Sequence, residues 1–277
     1  MSFHPYWIVF AISFLVIGEW ETRSRWRALS VREERRWLGH SALAVLAIAL
    51  TWGLARVIPV AVAAAAAGSP FGLLNRPWLP EPLAWILALL LLDLARYAMH
   101  YAHHRIPMLW RLHKVHHSDP DVDLSTGLRA HPLDSLVIQG GHWAAVALLA
   151  PPAGAVVLAE CLFAFQSCFT HANARLPELI ERRLRRVVVT PDLHRIHHSS
   201  REEEQAGNFG DVLPWWDKLF RTYIAAPEGG AAALVPGLRG LRTGDDHHTL
   251  WFMLSLPFRS EGDSLETRDP LIQLERP

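Results

Sequence analysis

Apolar positions along this chain gather in blocks rather than alternating pairs, and the blocks predict helices. Tyr6 to Gly18 is apolar over 13 residues, and Glu19, Trp20 and Arg23 follow it. No basic residue precedes that block and no small-residue cleavage site follows it, so it reads as a short membrane helix with an interfacial Trp rather than a signal peptide. The next block starts at Leu38 and continues to Ala67, broken by Arg56 and Pro59. Its first part, from Leu38 to about Ala55, is nearly long enough to cross a bilayer, with Val57 to Ala67 lying at the far interface. A third block, Leu83 to Leu92, leads straight into Asp93 and Arg96. That helix enters the bilayer apolar and leaves it polar. A long apolar stretch from Leu133 to Phe169 is split by Pro151-Pro152, and a proline pair ends a helix. Each half, at about 1.5 Å per residue, reaches about 25 Å. The expectation is a membrane hairpin over about 133–170, which returns the residues before and after it to the same side.

Composition narrows this. Of 277 residues, 51% are hydrophobic and 19% charged, with no net charge. Such a chain is not disordered, and its neutrality argues against nucleic-acid binding. Cys161 and Cys168 both sit in an apolar run and make no disulfide framework. The basic residues are segregated. Glu21 to Arg36 carries six Arg and three Glu, which places that loop in the cytoplasm. Counting spans returns the end of the third helix to the same side. Arg182, Arg183, Arg185 and Arg186 form a second basic run, suited to anionic headgroups or to an acidic partner. From Ser199 onward the chain is polar or rich in Gly and Pro. The expected fold is therefore all-α, an integral membrane helical bundle with a cytoplasmic histidine-rich helical cap. Residues 1–92 would supply N-terminal membrane helices, 93–223 a catalytic domain and 224–277 a cytoplasmic extension. The expected location is a membrane, the bacterial inner membrane, with the site facing the cytoplasm.

Histidine carries the candidate chemistry. There are 16, and 12 of them lie between His100 and His198. Three clusters have helical spacing: His100-x-x-x-His104, His113-x-x-His116-His117 and His194-x-x-His197-His198. Residues at i, i+3 and i+4 share one face about 5–6 Å apart, so two imidazoles can hold one metal ion. Thr190 and Pro191 supply an N-cap and a first helical residue for the third cluster. Asp93, Tyr97, His100 and His104 form one stripe on a single helix. His103 lies about 100° around that helix and is expected to face elsewhere. His4, His40 and His142 read as core residues, and His247-His248 as a surface pair in a polar loop.

Eight clustered histidines exceed what one ion takes and imply two ions. No Glu occurs from Asp93 to Ala159, which speaks against a carboxylate-bridged di-iron bundle. No HExxH or HxxEH is present, which argues against a zinc protease. Neutral imidazoles at a membrane surface suit two non-haem Fe ions that activate O₂. A zinc-dependent membrane hydrolase using the same histidines is the alternative, and a metal or haem carrier a more distant one. Asp93, Asp119, Asp134 and Asp192 are candidates to orient the ligands, with Asp119 and Asp192 solvated by default.

The run from His100 through Trp110 to His113, His116, His117 and Asp119 resembles the sterol desaturase / fatty acid hydroxylase superfamily. So do Leu128 to Asp134, His171 to Pro177 and Thr190 to Ser199, continued by Asn208-Phe-Gly210 and by Trp216 to Phe220. The resemblance is close from about Asp93 to Tyr223 and loose before it. It implies a membrane-bound di-iron oxygenase that hydroxylates or desaturates a lipid such as a sterol or fatty acyl chain, with O₂ as co-substrate. It adds His171 as a ninth ligand. It leaves His131 open between ligand and a substrate-side or ligand-orienting role, and gives that second role to Asp93, Asp134, Asn173 and Asn208. No nucleotide fingerprint or haem motif is present, so an external electron donor (ferredoxin, cytochrome or reductase) is implied. Arg221 departs from the family, which usually has Gly there, and puts the local turn in question.

Overall fold

The computed structural model describes residues 5–51, 54–66, 72–239, 241 and 245–259, so His4 lies outside the described residues. Helices carry the fold. Among the described residues the only β-type pairings are two isolated bridges, Arg25 with Ala174 and Ser199 with Pro236. In chain order the α-helices are α1 (Pro5–Arg23), α2 (Glu33–Thr51), α3 (Leu54–Ala66), α4 (Glu81–Arg105), α5 (Pro107–His117), α6 (Pro132–Leu149), α7 (Ala153–His171), α8 (Glu178–Leu184), α9 (Pro191–His197), α10 (Glu202–Gln205), α11 (Trp215–Phe220) and α12 (Leu250–Ser255).

Proline sets most of the boundaries that matter. Pro107, Pro132 and Pro191 each open a helix, where a missing N–H costs nothing. Pro151-Pro152 divides α6 from α7 as expected, and Ala150 takes a left-handed conformation (φ 44°) to turn the chain there. The first helix continues past Gly18 to Arg23. Its last turn is held because the buried Glu21 carboxylate accepts from the Leu124 and Asn173 amides, both at 2.9 Å.

Among the described residues two helices, α4 and α7, are long and apolar enough to cross a membrane, fewer than the apolar blocks of the sequence suggested. α7 lies at the centre, packed by α1, α3, α4 and α9. Leu92, Val146, Val156, Ala159 and Phe163 form the core between α4, α6 and α7. Other apolar side chains of α1, α2, α4, α6 and α7 point outward: Ile12, Leu15, Val45, Ile86, Leu148, Leu158 and Phe165 are exposed. A soluble monomer rarely shows so extended an apolar surface, and a lipid environment accounts for it. The described part of 224–277 is docked rather than separate. α12 packs on α2, and Leu256–Phe258 packs on α5.

Candidate metal centre

Two short helices and the ends of two long ones converge on the centre. α4 brings His100 and His104, α5 brings His113, His116 and His117, α9 brings His194 and His197 with His198 as its C-cap, and the end of α7 brings His171. Their nitrogens fall into two groups. His100, His104, His113, His117 and His197 form one, and His116, His171, His194 and His198 the other, with ligand atoms within 4.8 Å of one another in each. All nine histidines singled out in the sequence are thus gathered, five and four. The groups adjoin: the His117 and His198 rings stack with centroids 4.6 Å apart.

The donor set fits metal ions. Nε2 of His100, His104, His113 and His197 is buried without a hydrogen-bond partner. In the second group, His194 Nε2 lies 3.0 Å from His171 Nε2, and His198 Nε2 lies 3.2 Å from His194 Nε2. Lone pairs facing one another this closely repel, and a cation between them turns that repulsion into ligation. Bonds of about 2.1 Å to imidazole would set neighbouring donors about 3.0–3.4 Å apart. Burial and neighbouring imidazoles hold His116, His117, His194 and His198 well below the ordinary histidine pKa. Burial pushes His197 down to about 3. The rings are therefore neutral at physiological pH, the form that binds metal.

The opposite nitrogens fix the tautomers. His100 Nδ1 donates to the Phe209 carbonyl at 2.9 Å, His197 Nδ1 to Gly207 at 2.8 Å and His171 Nδ1 to Ser167 at 2.7 Å. His113 Nδ1 donates to Asp134 Oδ2 at 3.1 Å. Each leaves Nε2 as the lone pair toward the centre. Sequence spacing gave no hint of the carbonyl acceptors. Ser167 supplies its carbonyl from α7, and Gly207 and Phe209 supply theirs from the loop 207–213, which the Asp93 and Asp217 carboxylates shape. Asp217 accepts from the Phe209 and Gly210 amides at 2.8 Å each. Asp93 accepts from the amides of Val212 and Leu213 and from the Trp216 indole. The α4 stripe thus docks a loop with its upper residues and presents histidines with its lower ones.

The remaining candidates lie farther out. Asp134 is the one that touches a clustered histidine, and it also lies 3.3 Å from His103 Nε2, so His103 faces this carboxylate outside both groups. His131 caps α6, its Nδ1 accepting from the Leu133 amide. Asn173 pairs with the backbone of Arg27. Asn208, at φ 55°, bonds Leu193 and Ile224 backbone atoms and so ties the 207–213 loop to α9. Arg221 holds the left-handed turn itself at φ 62°, so the turn survives without Gly.

Two expectations fail here. Asp119 is not solvated but fully buried, and His247 and His248 are buried rather than on the surface. Both belong to a polar bracket under α5. Arg36 pairs with Asp119 at 2.8 Å and with Asp123, and also donates to the Asp121 carbonyl. Burial alone would lower the Arg36 pKa, but Asp119, Asp123 and Asp121 raise it above its ordinary value. Arg129 donates to the Val115 carbonyl, the Ser118 hydroxyl, His40 Nε2 and the His247 carbonyl, clamping the end of the helix that carries His116 and His117. His40, Asp119 and His248 are close enough to suggest a third ion. Arg36 and Arg129 already occupy Asp119 and His40, and two buried guanidiniums repel a cation.

A cavity of about 240 Å³ opens beside the second group. His100, His113, His116, His171 and His194 line one end, and Phe163, Gln139 and His142 line it away from the centre.

Residues 85–222 match the fatty acid hydroxylase family model. The chain belongs to that family. Curated relatives are alkylglycerol monooxygenase of Homo sapiens, 31% identical over 160 residues, and its Danio rerio counterpart, 32% identical over 161. Each match covers 57% of this chain and 34% of the relative. Ornithine lipid hydroxylase OlsE of Rhizobium tropici is 30% identical over 142 residues, 51% of this chain and 42% of the relative. The match therefore spans well under half of each relative's length. No solved structure matches. The family match runs from α4 to the turn after α11, so it contains every histidine of the two groups.

Proposed function

We propose that this chain is a membrane-bound, O₂-dependent di-iron oxygenase that hydroxylates an unactivated C–H bond of a lipid. The observation that carries the reading is the pair of adjoining all-histidine groups at one end of a cavity set among apolar helices. The relatives are named as a monooxygenase of alkylglycerols and a hydroxylase of ornithine lipids, which supports a lipid as the substrate class.

His100, His104, His113, His117 and His197 would hold one Fe and His116, His171, His194 and His198 the other. Iron bound there supplies O₂ activation and C–H oxidation, chemistry that no side chain offers. The chain's own part is positional. Carbonyls 207, 209 and 167 and the Asp134 carboxylate keep each Nε2 aimed inward. Burial keeps the rings neutral and excludes water. The cavity between α4, α6 and α7 would admit a chain from the bilayer and bring its reacting carbon to the histidines. Electrons come from a separate ferredoxin, cytochrome or reductase on the cytoplasmic side, and the Arg182–Arg186 run is the acidic partner's landing point.

The test is metal analysis of protein purified from membranes, followed by turnover of 1-O-hexadecylglycerol with and without O₂. Two irons per chain and O₂-dependent oxidation are expected. One tight zinc, or undiminished turnover without O₂, refutes the reading and favours hydrolysis.

A further inference from the structure

The hairpin that lines the cavity carries polar groups that the metal centre does not use. Asp134, Ser135, Ile138, Gln139 and His142 form one stripe of α6 facing the cavity, and Phe163 on α7 stands opposite. At its inner part His142 Nε2 lies 2.7 Å from Glu160 Oε1, and both side chains are buried. An ionisable pair inside an apolar hairpin is costly and marks a functional position. A ring proton on Nε2, the nitrogen that faces the carboxylate, makes Nδ1 the acceptor of His142. That Nδ1 has no partner. Gln139, one turn before it and 8% exposed, has a buried Oε1 that also lacks a partner. Two unpartnered acceptor atoms thus lie on the stripe of α6 that lines the cavity. Buried polar atoms are rarely left so.

We infer that Gln139 and His142, with His142 held by Glu160, form a recognition site for a hydrogen-bond donor of the substrate, a hydroxyl or amide N–H, set apart from the reacting carbon. This rests on the cavity's being the substrate site of the proposed oxygenase. Asp134, which touches the ligand His113, and His142 are eight residues apart on one helix, about 12 Å of rise. The substrate is then not a plain hydrocarbon chain. It carries a donor set back along α6 from the oxidised carbon, and that spacing sets which carbon reaches the iron. His142 and Gln139 are positioning residues here, and Glu160 acts through His142.

Binding tests this without iron or O₂. The probes are tritiated hexadecan-1-ol, which can donate, and hexadecyl methyl ether, which only accepts. Each is titrated against the full chain in detergent micelles. A lost hydrogen bond to a buried acceptor predicts about a tenfold preference for the alcohol. Replacing the pair together, His142→Leu with Glu160→Leu, avoids a stranded charge and should bring the preference to within about twofold. Gln139→Leu, which leaves the pair intact, should weaken it alone. Equal binding of the two probes by the wild-type chain overturns the inference, as does a preference that survives both Gln139→Leu and the double replacement. Failure of the oxygenase reading looks different: the alcohol is preferred, but iron-loaded protein oxidises nothing.

Discussion

Replacing Asp134 probes how much of the metal affinity comes from outside the ligands. Its carboxylate is 1% exposed and reaches His113 Nδ1 at 3.1 Å and His103 Nε2 at 3.3 Å. Asp134→Leu keeps a similar volume but removes the acceptor of the His113 Nδ1 proton. His113 then loses the contact that fixes its tautomer and aims Nε2 at the first group. Partners of this kind are worth 10- to 100-fold in metal affinity, about 1.4–2.8 kcal/mol. The stranded buried N–H of His113 adds about 1–3 kcal/mol to the loss of folding stability. Asp134→Asn retains one acceptor oxygen and should fall nearer tenfold. Chelator competition on purified protein reads the affinity, and circular dichroism with thermal melting reads the fold. The expected order of iron affinity is wild type, then Asn, then Leu, with one iron weakened more than the other because His113 belongs to one group. A folded Asp134→Leu protein that binds both irons as tightly as wild type would refute the argument that this carboxylate orients a ligand.

Four further outcomes follow from the same contacts. His116→Ala should abolish iron loading of the second group and all oxidation, measured by metal analysis and product formation, and surviving activity would remove His116 from the ligands. Arg36→Leu leaves Asp119 and Asp123 buried without their cation and should lower stability by about 3–5 kcal/mol, seen as a large drop in Tm. Arg221→Gly relieves a left-handed residue at φ 62° and should raise stability by up to about 1 kcal/mol, and an unchanged or lower Tm would count against strain at that turn. Burial pushes His248 down to about 4, below its unfolded value, so the folded state resists the proton. Its contribution is full above the unfolded pKa of about 6.5 and is lost as pH falls toward 4. His248→Leu should therefore flatten part of the pH dependence of Tm in that window, and identical slopes for the two proteins would show that His248 does not titrate with unfolding.

The sequence by itself determined the local pieces. Prolines at 107, 132, 151, 152 and 191 set helix boundaries, because proline restricts the chain regardless of tertiary context. The i, i+3, i+4 spacing of histidines put candidate ligands on one face of each helix, because that periodicity is a property of the helix alone. What the spacing could not decide was which clusters come together in one group. Members of all three clusters mix in the first group, and His171 joins the second from α7, because the packing of α4, α5, α7 and α9 sets those distances. The acceptors that fix the tautomers were invisible for a similar reason: carbonyls of residues 167, 207 and 209 belong to the backbone, which has no sequence signature. Asp119, His247 and His248 looked solvated because their neighbours in sequence are polar. Tertiary structure buries them by bringing Arg36 and Arg129 across from distant segments, and a buried charge is tolerable only with such a partner. The same holds for His142, which reads as a core histidine until Glu160 on the neighbouring helix is seen beside it.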